Sequence, residues 1–172
     1  MHKGREEYDR KAMESWWKNQ RGEWYVILQG VLFLLVILGP KSLPAAPLWP
    51  DNVATGAIAL GLALAGAGGL LLAAAILRLG SNLSALPHPL PGASLVESGP
   101  YRFVRHPIYA GIILAAVGWG VLNRSTLGLL YALALFIFFD IKSRREETHL
   151  RRALTGYDAY QARVRRLIPF IY

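Results

Sequence analysis

Gly99-Pro100-Tyr101-Arg102-Phe103-Val104-Arg105-His106-Pro107-Ile108-Tyr109-Ala110-Gly111 packs two arginines, an imidazole, two phenols and two prolines together where an apolar run begins. Pro100 and Pro107 fix their own φ and push the residue before each of them toward extended geometry. Pro107 also suits the first turn of a helix, where its missing N–H would be unpaired anyway. The stretch therefore predicts a shaped polar loop over 99–106 that feeds a membrane helix starting at Pro107. Polar side chains held beside a helix N-terminus at a membrane boundary form a natural site for an anionic group. Taken singly, Arg102 and Arg105 read as juxtamembrane cations, with Tyr101 and Tyr109 as interface anchors.

Downstream, two apolar blocks, Ile108 to Leu122 and Thr126 to Ile141, are joined only by Asn123-Arg124-Ser125. So short a connection demands antiparallel neighbours, a helical hairpin. Arg124 at its tip is expected to snorkel to water. Upstream, the block from Val53 to Leu79 is long enough to cross a bilayer with some tilt. Its Gly61-Ala65-Gly69 row offers a small-residue face for close helix packing. The first block, Trp24 to Gly39, spans only about 24 Å as a helix, against about 30 Å of hydrocarbon. Pro40, Pro44, Pro47 and Pro50 separate these two blocks. Residues 80–98 form a second proline-punctuated loop around His88.

Composition agrees with this pattern. Apolar residues make up 53% and charged residues 17% of 172, and mean hydropathy is +0.31, too apolar for a soluble domain of this size. With no cysteine, neither a disulfide framework nor a thiolate metal site is available. The four histidines share no zinc-ligand spacing, so no metal is expected. A net charge of +8 would suit nucleic acid, but its placement follows the membrane instead. With four crossings, every Lys and Arg except Lys41 and Arg124 falls on one side. The positive-inside rule then puts both termini, the 99–106 loop and the tail in the cytoplasm. Residues 1–23 mix acids with bases and lead to no small-residue cleavage site, so they are not a cleavable signal peptide. Trp16, Trp17, Trp24 and Tyr25 fit a short interfacial helix there.

The expectation is an all-α integral membrane protein of about four helices, with a C-terminal helical hairpin and a cytoplasmic cofactor pocket. Residues 1–92 carry the interfacial helix and two membrane helices; residues 93–172 carry the hairpin, the pocket and the tail, within one structural domain. In the tail, Lys142, Glu146 and His149 share one helical face. Its arginines read most simply as a polybasic patch for anionic lipid. Glu146-Glu147 runs against those local electrostatics, although pairing with Lys142 and Arg151 would account for the two acids.

The 99–111 string closely resembles the signature of the isoprenylcysteine carboxyl methyltransferase family and its prokaryotic relatives. Phospholipid methyltransferases share much of it. Glu146-Glu147 falls where that family carries a glutamate pair after its last membrane helix. Tyr157, Tyr160, Val164 and Pro169 match its Tyr-x-x-Tyr-x-x-x-Val run. The resemblance covers residues 93–170, nearly half the chain. It implies a membrane methyltransferase that uses S-adenosylmethionine on a lipophilic substrate from the bilayer, with a carboxylate as methyl acceptor.

By the same resemblance, Ser94, Leu95 and Val96 would line the cofactor through their backbone, beside Tyr101. His106 and Tyr109 match its cofactor-binding His-Pro-x-Tyr, Glu146 its cofactor-binding acid, and Glu147 stands with it. Arg105 becomes a substrate-orienting cation. Lys142 takes the position of a substrate-linked arginine, keeping the charge without the planar fork. A ligand with a sulfonium, an ammonium, a carboxylate and ribose hydroxyls calls for such acids, donors and aromatic faces. The alternatives are a phospholipid or other amine N-methyltransferase, an NADPH-dependent relative of the sterol reductases, and a non-enzymatic membrane scaffold that binds headgroups.

Overall fold

The structure, a computed structural model, describes residues 23–84 and 92–172. The expected interfacial helix before Glu23 and the proline-flanked His88 lie outside the described residues. Among the described residues, five α-helices follow in order: α1 (Glu23–Leu38), α2 (Ala54–Leu79), α3 (Pro107–Leu122), α4 (Thr126–Ala153) and the short α5 (Tyr157–Arg163). No strand forms among the described residues; three isolated backbone bridges are the only extended pairings there. Two stretches, Asp51–Asn82 and Thr126–Ala153, are long and apolar enough to cross a membrane, while α1 and α3 are shorter apolar helices.

α2 and α3 pack nearly backbone to backbone. A Cβ added at Gly68 would lie 2.5 Å from Ala115 N and 2.6 Å from Gly111 O, and one at Gly118 2.4 Å from Ala65 N. The expected small-residue row needs correction at one position. Gly61 and Ala65 face α3, but Gly68 continues the seam, and Gly69 has nothing within 4 Å of its added Cβ. At 3.6 residues per turn, an i, i+4, i+7 row stays on one face more closely than i, i+4, i+8.

α1 lies against α4 through Tyr25 on Phe138 and Phe33 on Phe139, with ring centroids 6.0 and 6.4 Å apart. Tyr25, Gln29 and Phe33 are four apart, so the one amide between these two aromatics shares their face. The outward side chains of α2, Leu70 and Leu77 among them, are exposed, as suits lipid contact.

The hairpin forms over the expected residues. Ser125 caps α4, its Oγ accepting from Gly128 N at 2.9 Å, and it also donates to the Lys41 carbonyl. At the tip, Arg124 is partly accessible and also makes specific contacts. Its guanidinium engages Asp51 and the Trp49 carbonyl, and its own carbonyl accepts from Trp49 N at 2.9 Å. Lys41 Nζ bonds the free carbonyls of Val36 and Ile37 at the end of α1. The loop between α1 and α2 is thereby tied to the hairpin turn.

α4 runs twelve residues past the end of its apolar block at Ile141. Its polar half keeps helical form with support from an Asp140–Arg144 pair at 2.9 Å, spaced i, i+4. At about 1.5 Å per residue the whole helix is about 42 Å long, so its C-terminal turns project beyond about 30 Å of hydrocarbon.

Candidate active site

The 99–106 loop is shaped as its prolines require. Gly99–Arg102 forms a 3-10 turn, Pro107 opens α3, and His106 stands at its N-cap. The C-terminal segment then fixes the loop from outside. Arg105 N donates to Arg165 O at 2.8 Å and His106 N to Arg166 O at 3.1 Å. The Tyr160 hydroxyl donates to the Tyr101 carbonyl at 2.6 Å. Tyr157, Tyr160 and Val164 form a small core with Leu95, Leu150 and Leu154. Residues 94–98 are pinned at three points. Asn82 bonds both backbone groups of Ser94, Arg78 donates to Ser98 at 2.6 Å, and Arg163 pairs with Glu97 at 2.9 Å.

These elements enclose a cavity of about 440 Å³. Ser94, Leu95, Val96 and Tyr101 form one wall. Arg105, His106 and Tyr109 come from the loop and the first turn of α3, and Lys142 and Glu146 from α4. Of the ten residues that the resemblance assigned to cofactor or substrate, Glu147 alone does not line it. Burial and the nearby Glu146 carboxylate push the Tyr101 phenol up; burial, then Glu147, does the same for Tyr157. Both therefore stay neutral, hydrogen-bonding phenols at physiological pH.

Glu146 and Glu147 point to different places because consecutive helical residues differ by about 100°. Glu146 turns to the cavity with 22% of its side chain accessible, and Tyr109 donates its phenol to it at 2.9 Å. Glu147 is 2% exposed and lies behind His106. Its Oε1 meets Arg105 Nε at 2.8 Å and His106 Nε2 at 3.1 Å, and its Oε2 accepts from Gln161 at 3.1 Å. Arg166 Nε is 3.4 Å away. Glu147, expected beside the cofactor, does not line the cavity; its bonds tie the loop to α4 and to α5.

Arg105 shares that fate in part. Beyond Glu147, its guanidinium donates to the carbonyls of Gln161 and Val164. These bonds fasten the loop to the C-terminal segment and leave less of the side chain for a substrate than the sequence implied.

His106 stacks on Tyr109 with rings 2° from parallel and centroids 5.4 Å apart, and Tyr109 stacks on Phe139 at 4.4 Å. Lys142 Nζ lies 5.4 Å from the Tyr109 ring centroid, within cation–π range. It also donates to Gln29 Oε1 at 2.7 Å. Sequence reasoning overlooked Gln29, although one amide inside an apolar helix is itself a signal, because buried polar groups in such helices seek partners. Asn82 and Gln161 were missed as well; both act through contacts distant in sequence.

The donor set suits an S-adenosylmethionine-sized ligand. It offers an accessible carboxylate and a stacked aromatic pair, with residues 94–96 along one wall. The Tyr157 hydroxyl on the cavity wall is buried without a hydrogen-bond partner, a state that normally calls for one. Among the described residues, no cluster of His, Asp and Glu is arranged to hold a metal ion.

The class defined by this fold and site is a helical membrane protein with a ligand-sized, largely apolar cavity carrying a few polar groups, placed where the polar and apolar halves of a long helix meet. Comparison with known proteins supplies the family. A family model described as phospholipid methyltransferase matches residues 56–155, and the chain belongs to that family.

Within the family it resembles the isoprenylcysteine enzymes. It is 35% identical over 79 residues to a probable protein-S-isoprenylcysteine O-methyltransferase from Oryza sativa subsp. indica, covering 45% of this chain and 41% of that one. It is also 34% identical over 76 residues to a nickel-cobalt-cadmium resistance protein, NccN, from Alcaligenes xylosoxydans xylosoxydans, covering 44% and 36%. Among solved structures, it superposes on the eukaryotic intramembrane Ras methyltransferase ICMT with a TM-score of 0.63 and 27% identity. That match covers 88% of this chain and 54% of the other. The matched stretch thus spans less than half the length of either curated relative.

Proposed function

We propose that the protein is an integral membrane methyltransferase that takes S-adenosylmethionine into this cavity and methylates a lipophilic carboxylate arriving from the bilayer. The observation that carries the reading is the Tyr109–Glu146 hydrogen bond on the cavity wall, beside the stacked His106 ring. It holds a partly accessible carboxylate on the cavity wall, the group that would pair with a cationic cofactor.

When bound, S-adenosylmethionine supplies an activated methyl group, so the acceptor needs orientation more than acid–base help. Glu146 would pair with the cofactor's ammonium or accept from its hydroxyls. The backbone of Ser94, Leu95 and Val96 would line it, with Tyr101, His106 and Tyr109 around it. Lys142, on the same helical face as Glu146 and one turn nearer the apolar half, would hold the acceptor's anionic end. Gln29 and the Tyr109 ring steady that ammonium. Glu147, one layer back, and Arg105, on the cavity wall, would hold His106 and the loop in place. The apolar surroundings of the cavity exclude water, which strengthens these interactions.

The two short helices α1 and α3 would complete four crossings, with both termini and the cavity mouth in the cytoplasm and residues 1–172 forming one domain. A second reading, an amine acceptor of the phospholipid methyltransferase kind, draws support from the family model. Lys142 argues against it, because a cation beside an amine hinders attack. Calorimetric titration of the detergent-solubilised protein tests the cofactor assignment. Saturable binding of S-adenosylmethionine, displaced by S-adenosylhomocysteine and unaffected by NADPH, is expected. Binding of NADPH alone would support the reductase alternative instead.

A further inference from the structure

The chain beyond α5 folds back onto α4. Tyr172 packs its ring against Phe136 with centroids 6.4 Å apart, and its hydroxyl donates to Asp140 at 2.9 Å. Phe136 lies five residues inside the apolar block that ends at Ile141 and Asp140 one residue inside it, so the Tyr172 ring lies along the last turn or so of that block. Arg166 secures this return by pairing with the same Asp140 carboxylate at 3.0 Å, and Arg144 reaches both Asp140 and the Tyr172 hydroxyl. Leu167 is buried, and Leu167 N and Ile168 N both donate to Tyr172 O, closing 167–172 into a compact tip.

What the tip presents outward is apolar. Phe170 is 83% and Ile171 76% exposed. On α4, which the tip contacts through Phe136 and Asp140, Leu133, Ile137 and Ile141 are also exposed and form a face a bilayer would cover. Large apolar side chains left open next to such a face, with arginines just above them, match the boundary between acyl chains and anionic headgroups.

We propose that Phe170 and Ile171 form a membrane-seated tip, inserted at the acyl–headgroup boundary beside α4, with Arg144 and Arg165 facing the headgroups. The occupant of this surface is bilayer lipid. The surface continues the lipid-facing band of α4, and the Tyr172–Phe136 contact fixes its depth. Through Arg166 and the 165–166 backbone, the seated tip is joined to the loop that carries Arg105 and His106. The inference rests on α4 lying in the membrane and not on the chemistry proposed for the cavity.

Absence of cysteine makes the test direct. Phe170→Cys and Ile171→Cys, each spin-labelled and reconstituted in phosphatidylcholine–phosphatidylglycerol vesicles, are compared with Leu133→Cys as lipid reference and Asp158→Cys as aqueous reference. Collision with oxygen relative to a water-soluble nickel chelate should be several-fold higher at 170 and 171 than at 158, and close to that at 133. Both tip positions are exposed, so folding is not at stake. Tip labels that behave like position 158 while 133 reads as lipid would overturn the inference alone. If 133 also reads as aqueous, the membrane placement of α4 falls with it. Labels shielded from both reagents, with spin–spin broadening, would mean a second copy covers the tip and would equally overturn the proposal.

Discussion

Tyr109 on α3 and Glu146 on α4 are thirty-seven residues apart in sequence and joined by a 2.9 Å hydrogen bond at the cavity wall. Pro107 sets the start of α3 and the three-residue turn sets its pairing with α4, so the backbone brings this phenol to this carboxylate. The bond holds the carboxylate in one orientation while part of it stays accessible. A fixed, accessible anion beside aromatic faces is what binding of a cationic cofactor requires.

Glu146→Gln keeps the size and the tyrosine contact but removes the charge. Cofactor affinity should fall by about 1.5–3 kcal/mol, the scale of a hydrogen bond to a charged group, with thermal stability little changed. Calorimetry and an unfolding curve on the same preparation check both halves. Unaltered affinity would remove Glu146 from the site.

Glu147 should behave in the opposite way. It is buried against Arg105 and His106, and removing one member of a buried ion pair costs about 3–5 kcal/mol. Glu147→Gln and Arg105→Ala should both lower the unfolding temperature in detergent well below that of Glu146→Gln. Arg105→Lys should restore little, because the fork that reaches Glu147 and two carbonyls is lost. If Glu147→Gln lost cofactor binding with its stability intact, the acid would be a ligand contact and not an anchor.

How much of this was legible beforehand depends on the range of the contact. The four apolar blocks, the hairpin turn and the helix start at Pro107 are local features, and the structure forms them where hydropathy and proline place them. The 99–111 string also supplied Tyr101, Arg105, His106 and Tyr109 of the cavity wall. The division of labour between Glu146 and Glu147 was not legible, since it depends on the rotation of α4 against the loop. Gln29, Asn82 and Gln161 were overlooked because each gains its role from a partner between 12 and 113 residues away. The slip from Gly68 to Gly69 is of the same kind: a small-residue row fixes a face only to within about one residue until its partner helix is known.

That seam gives a prediction of its own. Gly68→Leu places its side chain against Ala115 and Gly111 and must part α2 from α3, with an overpacking cost of about 1–3 kcal/mol or more. Gly69→Leu points into open space. Thermal unfolding of the two neighbouring variants should therefore diverge, with Gly68→Leu the weaker. Equal losses would refute the assigned seam.

Lys142 should govern the acceptor. Lys142→Ala should leave cofactor affinity nearly unchanged while raising KM or lowering kcat for a carboxylate substrate, and Lys142→Arg should retain turnover. Gln29→Leu, which removes a partner of the same ammonium, should cost about 1–3 kcal/mol of stability. Steady-state kinetics at saturating cofactor separate these effects. Should Lys142→Ala improve turnover of an amine, the acceptor would be the amine of the second reading.

The central claim is methyl transfer to a lipophilic carboxylate, and label transfer tests it most directly. The purified protein in vesicles is incubated with methyl-tritiated S-adenosylmethionine and a prenylated cysteine with a free carboxyl group, and the extracted lipid product is treated with alkali. A methyl ester releases its label as volatile methanol, whereas an N-methyl group does not. The account predicts base-labile label that saturates with substrate and is lost in Glu146→Gln. Base-stable label on a lipid amine, or no enzyme-dependent transfer to either acceptor, would contradict it.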